Sequence, residues 1–150
     1  MATLASSPAR SSSAGGLLSI ERLKSAGELA ARLLLSSLFL YSALAKIQSY
    51  AGVAAYMSTH GVHGSLLPLV ITTEVLFPIA LIIGWKTRIA TFLLLGYSIL
   101  AASIFHHNFA DSKDALEFFL DMGLIAALLL LLVHGAGPFS LDHRLAREQP

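Results

Sequence analysis

Ionisable side chains fall inside each of the long apolar stretches of the sequence or at their ends. Glu74 lies near the middle of residues 66–84, which are otherwise almost wholly apolar. Asp121 lies within a later apolar stretch, and Lys46 and His106 stand at the ends of two others. A bare charge is costly to bury in hydrocarbon, so each of these groups must be neutral, paired or hydrated. An ionisable group in such a place is a candidate functional residue.

The spacing of these residues indicates a polar pocket rather than scattered charges. Ser42 and Lys46 are four residues apart, which places them on one face of a helix. A carboxyl group that faces an amine or an imidazole in such a pocket can exchange a proton or bind a polar ligand. The alternative is that Glu74 pairs with Lys46 or His106 only to fix the register of the helices. The residues alone leave both interpretations open.

The composition predicts a membrane protein. The chain has 150 residues, of which 55% are hydrophobic and 13% charged, against roughly 25% charged residues in a soluble domain. Its mean hydropathy of +0.72 is typical of a membrane protein. There is no cysteine, which excludes disulfides, thiolate catalysis and cysteine-ligated metal or iron–sulfur sites. Basic residues are not interleaved with aromatic residues, so we expect no nucleic-acid partner.

Four apolar segments are long enough to cross a lipid bilayer. Each has 17–19 residues, close to the roughly 20 that span about 30 Å of hydrocarbon. The segments are residues 29–47, 66–84, 89–105 and 115–133. They predict an all-α bundle of four transmembrane helices. A soluble helical bundle is the alternative, but its helices would carry a polar face, and the last three segments have almost none.

The distribution of Lys and Arg predicts that both termini are cytoplasmic. Eight of the ten Lys and Arg residues precede the first segment, begin it, lie in the turn at residues 85–88 or follow the fourth segment. The other two, Lys46 and Lys113, lie on the opposite side. Cytoplasmic loops carry the excess of basic residues. On the outer side, apolar residues at helical spacing within residues 48–65 predict a short interfacial helix.

The chain divides into a tail and a membrane domain. Residues 1–27 are rich in Ser, Ala and Gly and predict a disordered cytoplasmic tail, followed by the membrane domain at residues 28–150. The apolar run within the tail is too short for a secretory signal. The Ser and Arg content of the tail also fits an organelle transit peptide, an alternative that the sequence leaves open.

The expected distance of each candidate residue from the outer end of its helix places all of them in one half of the bundle. At 1.5 Å per residue, Glu74 lies roughly 12 Å from the outer end of its helix and Asp121 roughly 9 Å. Lys46 and His106 lie at the outer ends of their helices. We therefore predict a single outer-half pocket. The more peripheral Lys113, Asp114 and Glu117 are assigned to its solvated rim.

The histidines do not predict a metal site. His60 and His63 are three residues apart on the outer side, but neither they nor the acids repeat the spacing of a known ligand motif. His107 follows His106 directly, so on a helix the two rings point in different directions.

Short motifs along the chain are similar, in order and spacing, to those of one known family. They are Arg32-Leu33-Leu34-Leu35, Leu38-Phe39, Ala45-Lys46, Tyr56-Met57, Gly61-Val62, Glu74, Gly84-Trp85-Lys86-Thr87-Arg88, His106 and Gly135-Ala136-Gly137-Pro138-Phe139-Ser140-Leu141-Asp142. Through these motifs the chain resembles the DoxX family of small bacterial membrane proteins, and its YqjF-like branch, over about residues 28–145.

The resemblance implies an integral protein of the bacterial inner membrane with four helices. Some members of the family belong to membrane redox systems, including a quinone-reducing thiosulfate oxidoreductase and an oxidant-defence complex with superoxide dismutase. By resemblance, Arg32, Lys46, Glu74 and His106 occupy the polar positions typical of the family.

The chain departs from the family pattern at two places. His63 stands where relatives often have Pro, and Leu120-Asp121 stands where they often have Lys-Asn. The second departure replaces a basic or amide group with an acid in the predicted pocket.

Together these observations favour a redox-associated membrane subunit whose outer-half pocket binds a quinone or a similar small ligand. The predicted ligand-binding residues are Ser42, Lys46, Glu74, His106 and Asp121. The chain has no recognisable redox centre, so we expect it to need a redox partner protein and not to act as a stand-alone enzyme. The alternatives are a membrane scaffold for soluble redox enzymes and a small-solute or proton-coupled transporter. For transport, a homo-oligomer would supply the inverted repeat that the chain lacks.

Overall fold

A computed structural model describes residues 10–106 and 108–148 of the chain. Within those residues the chain forms helices and turns but no β-strand. The α-helices in this part of the chain are α1 (Arg10–Gln48), α2 (Tyr50–Thr59), α3 (Leu67–Ile83), α4 (Thr87–Phe105), α5 (Ser112–His134) and α6 (Leu141–Glu148). A 3-10 turn, Gly64–Leu66, leads directly into α3.

Among the described residues, four helical segments are long and apolar enough to cross a bilayer: Ile20–Gln48, Gly64–Ile83, Thr87–Phe105 and Ser112–His134. Their outward faces are rich in large apolar side chains such as Leu69, Phe92 and Leu130, each more than half exposed. Because a helix satisfies its backbone hydrogen bonds internally, such faces suit a lipid environment. Over these residues the predicted all-α bundle of four transmembrane helices is confirmed.

The first helix begins earlier than the sequence predicts. Residues 1–27 have the composition of a disordered tail, but α1 begins at Arg10 and continues without a break to Gln48. From Leu17 onward this stretch contains Leu, Lys, Glu and Arg, whose side chains lose little rotamer freedom in a helix. The upstream turns therefore extend the first span. Residues 1–9, the rest of the predicted tail, lie outside the described part of the chain.

The bundle has an α2 end and an α6 end, named after the short helix that lies at each. α1 packs mainly against α3, and α4 packs mainly against α5. Leu81 of α3, Leu94 of α4 and Leu128 of α5 are fully buried in the core. Ser36 of α1 donates a hydrogen bond to the carbonyl of Pro78 at 3.0 Å. The half of the bundle nearer the α6 end therefore combines a packed apolar core with buried polar side chains that bond to the backbone.

The short helix expected in the connection between the first two spans is present as α2. Its C-terminal end is closed by the backbone N–H groups of His60 and Val62, which both donate to the carbonyl of Met57. Gly61 between them has a φ of +77°, a conformation that suits glycine at the end of a helix. α2 contacts α1 and α3, so it folds back against the end of the bundle.

At the α6 end, a carboxylate caps the start of α4. Asp142 accepts hydrogen bonds from the backbone N–H groups of Lys86 and Thr87 at 2.7 and 2.8 Å. The backbone N–H of Asp142 donates to the carbonyl of Gly84 at 2.9 Å. These contacts join the α3–α4 turn to α6, which gives a structural explanation for two of the motifs noted in the sequence.

Arg32 satisfies backbone carbonyls at the same end. Its side chain is fully buried, and the guanidinium donates to the carbonyl groups of Leu81 and Phe139. Gly84 has a φ of +72°, and a Cβ there would collide with the Arg32 guanidinium and with Ser140. The position of Arg32 therefore indicates a structural role in holding the end of α3 to the segment before α6.

Replacing Asp142 with Ala removes both hydrogen bonds to the start of α4. We expect the free energy of unfolding to fall by about 0.5–2 kcal/mol, the usual cost of losing an N-capping acceptor. Titration with a denaturing detergent in mixed micelles, followed by circular dichroism, measures this change. Glu148→Ala, at an exposed position of α6, is the matched control. An equal loss in both variants contradicts the capping role.

The orientation of the bundle is predicted only from the distribution of Lys and Arg. Lys113 lies at the α2 end and Arg147 at the α6 end, so these two positions report on opposite ends of the bundle. The chain has no cysteine, so Lys113→Cys and Arg147→Cys each provide a single labelling site. A membrane-impermeant maleimide applied to intact spheroplasts should label Lys113→Cys. It should label Arg147→Cys only after the membrane is opened. The reverse pattern contradicts the predicted orientation.

Candidate functional site

Glu74 lies in the middle of α3 and is almost fully buried, with 2% of its surface exposed. Its Oε1 accepts hydrogen bonds from Lys46 Nζ at 2.9 Å, Tyr97 OH at 2.5 Å and Ser42 Oγ at 3.2 Å. Its Oε2 is also buried and has no hydrogen-bond partner among the described residues. One oxygen thus collects three donors from α1 and α4, while the other can take a proton or a further partner.

The helical spacing of Ser42 and Lys46 aims both side chains at the same carboxylate. Lys46 Nζ donates to Ser42 Oγ at 2.5 Å as well as to Glu74. The sequence left open whether Glu74 pairs with Lys46 or with His106, and the geometry selects Lys46. Because the partners belong to α1 and α3, the ion pair also holds these two helices in register.

A second polar cluster surrounds His106 at the C-terminal end of α4. Its Nδ1 lies 2.7 Å from Asp121 Oδ2, and its Nε2 lies 3.1 Å from Glu117 Oε2. Each ring nitrogen donates to a carboxylate when the imidazole is in its cationic form. Glu117 and Asp121 are four residues apart on α5, so one face of that helix holds the ring from both sides.

A cavity of about 370 Å³ lies at the α2 end beside both clusters. Lys46, Tyr97, His106 and Tyr56 contribute polar groups to its wall. The remaining wall residues are aliphatic or aromatic: Val53, Met57, Val62, Leu66, Leu69, Val70, Leu100, Ala101, Ile104 and Phe105. A mostly apolar wall with a few polar groups is the usual composition of a small-molecule site.

The five residues predicted for the pocket occupy two layers. Lys46 and His106 line the cavity. The other three residues do not line the cavity: Glu74 and Ser42 contact Lys46, and Asp121 contacts His106. The acids therefore act on the cavity through the basic side chains that they hold in place.

Some residues of the site were missed or misplaced by sequence reasoning. Tyr97 and Tyr56 line the cavity but are absent from the predicted set. The signal for Tyr97 was a phenol within an otherwise apolar span. Glu117 was assigned to the solvated rim, but it is partly buried and contacts His106. Its assignment was incomplete because sequence spacing does not show which way α5 faces α4.

A cluster of three aromatic rings lies beside the same cavity. The rings of Tyr56 and Phe105 stack with centroids 5.7 Å apart, and the ring of His60 lies 4.4 Å from that of Tyr56. Desolvation raises the pKa of the Tyr56 phenol, and the negative charges of Asp114 and Glu117 raise the pKa further. The phenol therefore remains protonated near neutral pH and can donate a hydrogen bond.

Comparison with known protein families matches the DoxX family model to residues 27–107, which is just over half of the chain. The chain belongs to the DoxX family. The DoxX match includes Glu74 and every residue that lines the cavity, and it ends before the two acids of α5 that hold His106.

Two relatives from Escherichia coli strain K12 are similar to this DoxX chain. Inner membrane protein YqjF is 36% identical over 129 residues, covering 86% of this chain and 99% of the relative. Inner membrane protein YphA is 29% identical over 123 residues, covering 77% and 88%. No solved structure matches the chain significantly. With the apolar spans described above, this DoxX protein is a multi-pass protein of the inner membrane.

Replacing Tyr97 with Phe removes one donor to Glu74 and keeps the aromatic ring. Hydrogen bonds to charged groups contribute about 1.5–3 kcal/mol, so we expect the free energy of unfolding in mixed micelles to fall by a comparable amount. Tyr41→Phe removes the same hydroxyl from an exposed position on α1 and serves as the matched control. A Tyr97→Phe variant as stable as this control contradicts the contact with Glu74.

Proposed function

We propose that this DoxX protein is a membrane subunit that binds a small ligand with an apolar body and an oxygen-bearing head in the cavity beside Lys46. The observation that carries the proposal is the wall of that cavity, which is apolar apart from a few converging polar groups. Its volume of about 370 Å³ lies within the range of small-molecule sites. A quinone is the ligand class that fits best, since it combines a flat ring with carbonyl oxygens.

Lys46 supplies a hydrogen-bond donor for such a carbonyl. Its ammonium group has three N–H donors, and two of them are directed at Ser42 and Glu74. The third is not used by these two contacts, and the lysine side chain is 24% exposed and lines the cavity. The stacked rings of Tyr56 and Phe105 offer flat aromatic surfaces against which a ligand ring can pack.

Glu74 is the group best placed to exchange a proton with the ligand. Its Oε1 is hydrogen-bonded to Lys46 and Tyr97, which both reach the cavity. Its Oε2 has no partner among the described residues and can hold a proton. A proton on Glu74 therefore has a short path to a ligand oxygen through either neighbour.

A redox role would require a partner protein. Reduction of a quinone to a quinol consumes equal numbers of electrons and protons. The path through Glu74 supplies protons only, and the sequence lacks the cysteines of an iron–sulfur centre. In this proposal a redox partner protein delivers the electrons, and this chain provides the binding site and the protons.

The packing of the core favours binding over transport by a single chain. Leu81, Leu94 and Leu128 are fully buried in the half of the bundle nearer the α6 end. A polar solute that entered from the cavity would have to displace these side chains to cross. The polar side chains buried in this half, such as Arg32, Ser36 and Thr91, already bond to backbone carbonyls. A scaffold function is not favoured by any contact in the described residues.

Binding of a short-chain benzoquinone tests the proposal. Equilibrium dialysis against the purified protein in detergent micelles should show binding that weakens about tenfold in Lys46→Met, because the donor to the carbonyl is lost. Glu74→Gln should also weaken binding, since Lys46 loses the carboxylate that holds it. Lys86→Met, at the α6 end, is the matched control and should bind like the unchanged chain.

Filling the cavity gives a second test that does not alter the ion pair. Ala101→Phe places a ring inside the wall and should abolish quinone binding, whereas Ala55→Phe, exposed on α2, should have no effect. Equal binding by these two variants contradicts the assigned cavity. If the unchanged chain binds no quinone but drives solute uptake in proteoliposomes, the result supports transport instead.

A further inference from the structure

A long apolar groove runs between α1 and α5 and is separate from the cavity beside Lys46. It has a volume of about 770 Å³ and is lined mainly by aliphatic side chains of both helices, among them Leu34, Leu38, Leu124 and Leu130. α1 packs mainly on α3 and α5 mainly on α4, so α1 and α5 are in looser contact with each other. Within a bilayer this groove must be filled by lipid chains or by another protein surface.

The groove continues into a polar cavity of about 630 Å³ at the α6 end. Lys24, Glu28, His134 and Gly135 line both spaces, so the apolar and polar spaces are continuous. The Glu28 carboxylate lies against Gly137, where a Cβ would collide with it. The acid is thus held at the junction between the groove and the polar cavity.

The polar cavity carries charges of both signs. Three basic and three acidic side chains line it: Lys24, Arg88, Arg147, Glu21, Glu28 and Asp142, the last of which accepts backbone hydrogen bonds. None of them takes part in the ion pairs formed within residues 10–106 and 108–148. A phosphate group would pair with the basic side chains, and an ammonium group would pair with the carboxylates.

The length of the groove matches one leaflet of a bilayer. Its lining on α1 extends from Lys24 to Leu38, which is roughly 21 Å at 1.5 Å per residue. The hydrocarbon core of a bilayer is about 30 Å thick, with headgroups on either side. Acyl chains lying in the groove would therefore place their headgroup at Lys24 and the polar cavity.

We infer that the groove and the polar cavity together bind one phospholipid whose headgroup carries both a phosphate and an amine, as in phosphatidylethanolamine. The acyl chains lie between α1 and α5. The phosphate faces Lys24, Arg88 and Arg147, and the ammonium faces Glu21 and Glu28. An anionic lipid without an amine leaves the carboxylates unpaired and binds more weakly. This site does not depend on the ligand proposed for the α2 end.

Lipid retention measures this selectivity. The full chain is reconstituted in vesicles of equal phosphatidylethanolamine and phosphatidylglycerol, extracted in mild detergent and analysed by native mass spectrometry. The unchanged chain and the Glu148→Gln control should retain the ethanolamine lipid preferentially. The double variant Glu21→Gln/Glu28→Gln should lose that preference, a change of roughly tenfold. Equal retention of both lipids by the unchanged chain, or a preserved preference in the double variant, overturns the inference.

A steric variant tests the groove itself. Ala31→Phe fills the groove and should lower the amount of retained phospholipid, whereas Ala30→Phe, its exposed neighbour outside the lining, should not. Equal retention by the two variants counts against the groove. Leu34→Cys, in a chain without other cysteines, tests the competing occupant. Disulfide cross-linking between copies in the membrane would show that a second copy covers the groove, and its absence supports a lipid.

Discussion

The α2 half of the bundle depends on the Lys46–Glu74 ion pair. A carboxylate in the middle of a span is tolerated only when donors surround it, and here three donors from α1 and α4 converge on one oxygen. This requirement fixes the rotation of three helices relative to one another. A buried ion pair is often no more stabilising than apolar side chains of the same volume. Its presence is explained by the register of α1 and α3 that it sets and, in our proposal, by the ligand that it serves.

The two ends of the bundle use polar side chains differently. At the α6 end, Arg32 and Asp142 bond to backbone groups and hold a turn and a short helix in place. At the α2 end, Lys46, Tyr97 and His106 bond to other side chains and also face a cavity. Contacts to the backbone define the fold, whereas side chains that face empty space can change partners when a ligand enters. This contrast is why the proposed ligand site is placed at the α2 end, while the charged side chains of the polar cavity at the α6 end are proposed to hold a lipid headgroup.

Parts of the candidate site could be predicted from the sequence because membrane burial makes charges conspicuous. Glu74 and Lys46 stand out against apolar neighbours, and both fall in the predicted outer half of the bundle. Tyr97 was not predicted, because one tyrosine in an apolar span also fits ordinary packing. The pairing of His106 with Glu117 depended on how α5 is rotated toward α4, which spacing along one helix does not reveal. The groove between α1 and α5 could not be predicted either, since it results from which helices pack closely.

The sequence by itself determined that the chain crosses a membrane as helices, where the four apolar spans lie and which ionisable groups fall within or beside them. The physical reason is that hydrocarbon forces each span to be apolar, about 20 residues long and internally hydrogen-bonded. Only the tertiary structure decided which buried groups meet, because the rotation and neighbours of each helix depend on packing across the whole bundle. Packing of this kind placed Glu74 with Lys46 and Asp121 with His106, and left a cavity between helices rather than a filled core.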